Sequence, residues 1–453
     1  MKIALVHDYI KEYGGAERVL EALHEIWPEA PIFTTVYLPE FLGPHKERFK
    51  NWDIRTSFLQ YIPLKEKLIS PFRLVAPLVF KTFDLSKLDV VIISATGAYT
   101  PNTIRCHPEL VSGSNSSRDE MPKQVRHDTK RKPIHICYCH TPPRYLYGYA
   151  TARDWKKSII LGSIGEIVSH FLRLVDFKSS QNVDYFIANS LNVKGRIQKF
   201  YRRDSFVVYP PVDVDSSMYQ VVSSKYKKGT KYMLHNTGYY LAGGRLARPK
   251  HIDLIVEACR ELNVPLKVFG KAFGGWEKDI GTESRYSGKR PKGAHPESQI
   301  IGDSGRARMT GADIEFVGEV SDEEKLELMR NAKAYIFAAE DEDFGITPVE
   351  AMSVGTPVIA YKSGGVVESV VEGRTGLFFN ELTVDSLSKA IEQFNNLAID
   401  PTDCIKQAGK FSKERFKKEI KEFVNVIARN AVTKQSHKER LPRYVQFHER
   451  SSQ

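Results

Sequence analysis

The chain has 453 residues, 42% hydrophobic and 27% charged, an ordinary soluble globular composition with enough length for two or three domains. No apolar run approaches the roughly 18 residues needed to span a bilayer, and Asp8 interrupts the first apolar run before a signal-peptide core could form, so a cytoplasmic location is expected. The net charge of +11 does not imply a nucleic-acid partner, because nine of those charges lie in residues 106–132, 281–310 and 429–453, which lack any hydrophobic period. Five cysteines without a framework spacing agree with a reducing compartment, and Cys137 and Cys139 read as core residues.

Residues 2–7 form an apolar run ending at Asp8, and Tyr13-Gly14-Gly15-Ala16 opens an amphipathic helix to about Trp27. Strand, glycine turn and helix in that order begin a doubly wound α/β domain. Gly14 and Gly15 would let backbone N–H groups approach an acceptor or a phosphate at the helix N-terminus, although a bare turn explains them equally. Strands are expected at 32–36, 90–94, 134–139, 185–188 and 206–209, with helices near 65–83, 159–181 and 191–200. Strongly apolar strands alternating with helices predict a parallel sheet covered on both faces. Pro210-Pro211 ends this series, the first domain spans 1–212, and 213–238 reads as a linker.

A second series of the same kind occupies 239–411. Its strands are expected at 239–243, 266–269, 314–317, 334–338 and 357–361 and at Gly376, and its helices at 251–262, 321–331, 348–354 and 384–397. The expected fold class is α/β, two doubly wound Rossmann-like domains facing across a cleft. Residues 412–428 form a closing helix. The polar segments 106–132 and 281–310 read as disordered insertions and 429–453 as a disordered tail.

The most specific stretch is the acidic turn at 340–355, between an apolar strand and a short helix. Together with Gly14-Gly15-Ala16-Glu17-Arg18, His135 to Tyr145, Ala188-Asn189-Ser190, Gly244 to Lys250, Phe316-Val317-Gly318 and Gly364 to Glu368, it makes the chain resemble the retaining glycosyltransferases of family 4, which have the two-domain GT-B fold. The His140 stretch looks like the bacterial subgroup that builds surface polysaccharides, many of them mannosyltransferases. The resemblance implies a retaining, metal-independent transfer of a sugar from a nucleoside diphosphate to a lipid-linked or polysaccharide acceptor. GDP-mannose is the first donor to test, as a substrate, with no cofactor.

The resemblance gives Arg245 and Lys250, just past a strand end, the role of a diphosphate clamp. Fixed cations suit the charge that develops on a leaving diphosphate, and Arg245 would act as a fork, Lys250 as a point charge. Glu342 would hold hydroxyls of the donor sugar, assisted by backbone N–H groups of Phe344, Gly345 and Ile346. Glu350 has two readings, a bidentate acceptor for ribose hydroxyls or the capping-box partner of Thr347 ahead of Pro348. Gly364 and Gly365 belong to the donor-binding set, and His140, at a strand's carboxyl end, to the contacts near the reacting carbon. Asp341-Glu342-Asp343 matches an Asp-x-Asp metal pattern of another glycosyltransferase fold, but its place in the glutamate motif predicts no metal.

The basic-aromatic stretch Phe58 to Phe83 carries Lys65, Lys67, Arg73 and Lys81 among apolar residues. It reads first as a buried amphipathic helix and second as a peripheral contact with the inner face of the cell membrane. Two competing functions are a non-catalytic sugar-nucleotide-binding relic disabled by the insertions, and a sugar-nucleotide epimerase of similar fold.

Overall fold

The computed structural model describes residues 1–104, 132–151, 159–214, 238–272 and 313–433. Both polar insertions, most of the linker and the tail beyond 433 lie outside the described residues. The described residues divide into two compact units: 1–104, 132–148, 163–211 and 413–433 fall in the first, and 149–151, 159–162, 212–214, 238–272 and 313–412 in the second.

The first unit holds strands β1 (Ile3–His7), β2 (Ile32–Thr34), β3 (Ile54–Thr56), β4 (Val90–Ala95), β5 (Ile134–Cys139), β6 (Tyr185–Ala188) and β7 (Ser205–Val207), with helices α1 (Gly15–Ile26), α2 (Lys65–Phe72), α3 (Ala76–Phe80), α4 (Arg144–Tyr147), α5 (Ile159–Ser180, from residue 163 onward) and α6 (Leu191–Tyr201). All strand pairs are parallel, in the order β3-β2-β1-β4-β5-β6-β7. Both faces of this sheet are buried. Ala4 and Val6 pack with Phe72, Val79, Phe80 and Ile197, while Ile3 and Leu5 pack with Val19, Leu20 and Leu23. Burial on both sides is why the strands read as continuous apolar runs and not as alternations. Cys137 and Cys139 are buried in that core.

The second unit holds β8 (Tyr240–Leu246), β9 (Leu266–Ala272), β10 (Ile314–Gly318), β11 (Ala334–Phe337), β12 (Val358–Tyr361) and β13 (Gly376–Phe379), with α7 (Ile252–Glu261), α8 (Asp322–Arg330), α9 (Ile346–Ser353), α10 (Val366–Ser369), α11 (Val384–Asn395) and α12 (Pro401–Gly409). Its sheet is also parallel, in the order β10-β9-β8-β11-β12-β13. The last helix, α13 (Lys413–Thr433), returns to the first unit, where Phe416, Ile420, Phe423, Val424 and Ile427 complete the core beneath α1.

Several expectations need correction. The single helix at 65–83 is two, because Pro71 lies in the last turn of α2 and the chain re-enters a helix only at Ala76. The strand at 239–243 runs on to Leu246 through its pairing with β9. Neither β3 nor α12 was expected: β3 is three residues long, too short for a pattern, and α12 buries Gln407 beside small Cys404 and Ala408.

Candidate active site

In each sheet the strand order reverses once, between β1 and β4 in the first unit and between β8 and β11 in the second. Open α/β sheets bind ligands outside the carboxyl ends of strands at such a switch point. Gly14 and Gly15 follow β1, and Lys250 and Glu342 follow β8 and β11, while His140 follows β5 and Gly364 follows β12.

In the second unit, Lys250 ends a 3-10 turn, Arg248–Lys250, that follows β8, and the acidic loop follows β11. Their facing side chains make an ion pair, Lys250 Nζ donating to Glu342 Oε2 at 2.5 Å, while the ammonium rests 4.8 Å from the centre of the Phe337 ring. Two contacts tie the loops together nearby: the Glu340 N–H donates to Pro249 O at 2.8 Å, and His251 Nε2 lies 3.3 Å from Glu340 Oε2. Arg245 does not lie past the strand end as expected. It is inside β8, paired with Lys271 of β9, and exposed.

The acidic loop is shaped by backbone. Asp341 takes a left-handed φ of +52°, and Gly345, at φ +87°, is the N-cap of α9. Only glycine adopts the latter without cost. Phe344 is buried against Phe411, so this residue offers the site its backbone and not its ring. Gly364 and Gly365 press on the same loop: a Cβ on either would stand 2.3 Å from the carbonyl oxygen of Glu342 or Asp343, and the Gly365 N–H donates to Glu342 O at 2.8 Å.

The capping-box reading of Glu350 is overturned. With Gly345 as N-cap, Thr347 and Pro348 fall inside the first turn and Glu350 lies beyond it. Its carboxylate instead accepts from Lys325 Nζ at 2.9 Å, and that ammonium also meets Asp322 at 2.9 Å. Tyr335 on β11 was likewise not foreseen. Its hydroxyl donates to Gly243 O at 2.8 Å, and burial, with the nearby charges of Glu350 and Glu342, pushes its pKa up. Lys325 left no signal in the sequence, since one lysine on a charged helix looks like any other.

In the first unit Gly14 is the N-cap of α1, where its N–H donates to Glu17 Oε2 at 2.9 Å, and Gly15 is the first helical residue. His140 follows β5 directly and is 9% exposed. Its Nε2 lies 2.9 Å from Ser94 Oγ, which lies 3.1 Å from His7 Nδ1. Burial, helped by the neighbouring His7, pushes the His140 pKa down to about 3, so the ring is neutral near pH 7. Asp8, not nominated from sequence, is fully buried at the end of β1. It accepts from the N–H groups of Ala98 and Tyr99 at 3.2 and 3.1 Å and from the Thr96 hydroxyl, and burial raises its pKa. Its position at a carboxyl strand end was the available signal. Asn189-Ser190 serves α6, whose N-cap Ser190 accepts from the Val193 N–H at 3.0 Å.

The stretch Phe58 to Phe83 is only half buried. Phe72, Ala76, Val79, Phe80 and Phe83 enter the core, whereas Phe58, Tyr61, Leu64, Leu74, Val75 and Leu78 are exposed. Among the described residues no helix is long and apolar enough to cross a membrane, and no group of three or more His, Cys, Asp or Glu is placed to hold a metal ion.

The fold defines the class first. Sucrose-phosphate synthase from Thermosynechococcus elongatus superposes with a TM-score of 0.59 at 16% identity, covering 94% of this chain and 99% of that one. Anabaena HepE, solved in complex with UDP-glucose, gives 0.55 at 16%, covering 94% and 100%. These are GT-B folds, and the chain shares their architecture.

The sequence narrows the class. Residues 233–411, which contain Arg245, Lys250, Glu342 and Glu350, match the family model for glycosyl transferases group 1. Human alpha-1,3/1,6-mannosyltransferase ALG2 is 27% identical over 279 residues, 58% of this chain and 60% of that protein, and the Neurospora crassa protein of that name is 28% identical over 248, 52% of each. Dictyostelium discoideum ALG2 is 39% identical over 100 residues. The chain thus spans between half and three-fifths of the length of the first two relatives. It resembles GT-B glycosyltransferases, mannosyltransferases among them.

Proposed function

We propose that the protein is a retaining glycosyltransferase of family 4, independent of metal, that moves a hexose from a nucleoside diphosphate sugar to a lipid-linked or polysaccharide acceptor in surface glycan synthesis. Mannose from GDP-mannose is the first choice, supported by the names of its relatives. The observation that carries this reading is the Lys250–Glu342 pair, set on two loops at the carboxyl ends of β8 and β11 in the region that matches the glycosyltransferase model. A sugar diphosphate would engage the ammonium with its phosphates and the carboxylate with its sugar hydroxyls, so one ligand satisfies both charges. Lys250 and Arg245 then stabilise the leaving diphosphate, as fixed cations do best.

Glu350, held by Lys325, accepts from the ribose, and the N–H groups at the start of α9 assist at the sugar. His140 contacts the transferred sugar. In the same-face mechanism that the resemblance implies, the leaving phosphate oxygen takes the acceptor's proton, so the protein supplies no nucleophile. The exposed apolar residues of 58–78, near Lys65, Lys67 and Lys81, support a peripheral contact with the inner face of the cell membrane, where a lipid-linked acceptor would lie.

Hydrolysis and transfer with a panel of GDP- and UDP-sugars, with and without chelator, test this reading. Lys250→Ala and Glu342→Ala should each lower turnover by about 10²–10³-fold. Turnover equal to wild type in both variants, or loss on chelation that manganese restores, would contradict it.

A further inference from the structure

Four buried residues of the first unit form one polar chain. His140 Nε2 is 2.9 Å from Ser94 Oγ, and that oxygen is 3.1 Å from His7 Nδ1. His7 Nε2 lies 3.5 Å from Glu17 Oε1, while Glu17 Oε2 accepts the Gly14 N–H at 2.9 Å. His7 and Ser94 are fully buried, and Glu17 is 6% exposed.

The direction of this chain follows from what each group can donate. His7 Nε2 makes no hydrogen bond, but it lies 3.5 Å from the Glu17 carboxylate, whose negative charge favours a proton on that nitrogen over a bare lone pair, so His7 carries its proton on Nε2. When the ring carries a single proton, Nδ1 is then bare and accepts the Ser94 hydroxyl proton. Having spent that proton, Ser94 Oγ accepts from His140 Nε2–H. The remaining nitrogen of His140, Nδ1, keeps its lone pair. Which ring nitrogen bears the proton is set by the bond the other one makes, here relayed over two further residues.

We propose that Glu17 and His7, acting through Ser94, are positioning residues that hold His140 as the tautomer protonated on Nε2, making its Nδ1 a hydrogen-bond acceptor for a hydroxyl of the bound ligand. That the hydroxyl belongs to the transferred sugar rests on the function proposed above; the tautomer does not. The glutamate of Gly14-Gly15-Ala16-Glu17 then does more than close the first turn of α1.

The test is long-range ¹H–¹⁵N NMR of the full chain labelled at histidine, at about pH 8.5, above the ordinary imidazole pKa of about 6.5, with signals assigned through His7→Gln and His140→Gln. Both rings should appear as Nε2–H tautomers. In Glu17→Gln the amide oxygen keeps the Gly14 N–H and the amide NH₂ turns to His7 Nε2, reversing each bond, so both rings should become Nδ1–H. Ser94→Ala should leave His140 a mixture of tautomers. An Nδ1–H His140 in the wild type, or one indifferent to both Glu17→Gln and Ser94→Ala, would overturn the proposal. A merely structural Glu17 would lower stability and leave the tautomers alone. With a nucleotide sugar that the wild type turns over, Glu17→Gln should lower kcat/KM about tenfold, as loss of one hydrogen bond to the ligand does. A wild type that turns over no nucleotide sugar would remove the sugar as the ligand, and the NMR result would still decide the tautomer.

Discussion

A Cβ at Gly364 would stand 2.3 Å from the carbonyl oxygen of Glu342 and 2.7 Å from its nitrogen, at a φ of +70° that disfavours any L side chain. The residue read from sequence as a donor contact therefore serves the loop first, by letting the turn after β12 touch the backbone that carries Glu342. Gly364→Ala should displace that loop, costing about 1–3 kcal/mol of stability and lowering turnover at least tenfold in protein that still folds. Chemical denaturation and nucleotide-sugar hydrolysis measure the two effects. Wild-type values of both would show that the close packing is dispensable. Glu342 itself was legible in the sequence, because its motif is local. Its partner Lys250 was legible as a cation but not as an ion pair, since a sequence separation of 92 is bridged only by the fold.

At the scale of elements, the glutamate loop shows how a local rule can mislead. Thr347, Pro348 and Glu350 satisfy the sequence rule for a capped helix start, yet α9 begins one residue before Thr347, because Gly345 in the left-handed region already turns the chain. The same holds for α2 and α3. Their mixture of basic and apolar residues predicts an amphipathic helix, and the side that faces the core is indeed filled by Phe72, Val79 and Phe80, but Leu64, Leu74 and Leu78 point to solvent. Exposed apolar residues grouped beside cations suit an anionic bilayer, where each basic side chain contributes about 1 kcal/mol. Sedimentation with anionic vesicles should fall at least tenfold on combined charge reversal of Lys65, Lys67 and Lys81. Binding unaffected by that change would dispose of the membrane contact.

At the scale of the molecule, α13 joins the last stretch of chain to the first unit. Phe423 is fully buried there, against Tyr185 and Phe206. Phe423→Ala should cost about 3–5 kcal/mol, seen as a lower unfolding midpoint of the transition that includes β1 and α1; an unchanged midpoint would mean that α13 is not part of that core. The amphipathic helix was plain in the sequence, but which unit it covers was not.

The sequence by itself determined the two doubly wound series, the order of most strands and helices, and the identity of the glutamate, histidine and glycine motifs, because these are short-range properties of periodicity and local chemistry. Tertiary structure alone decided what those side chains do to one another. It set Lys325 on Glu350, passed His140 through Ser94 to His7 and Glu17, and pressed Gly364 onto the loop of Glu342. Each of these depends on distances between side chains or backbone on different elements, which the packing of helices and loops around a parallel sheet brings within a few ångströms. The acidic loop could be found by reading the chain, but its geometry is made by its neighbours in the sheet.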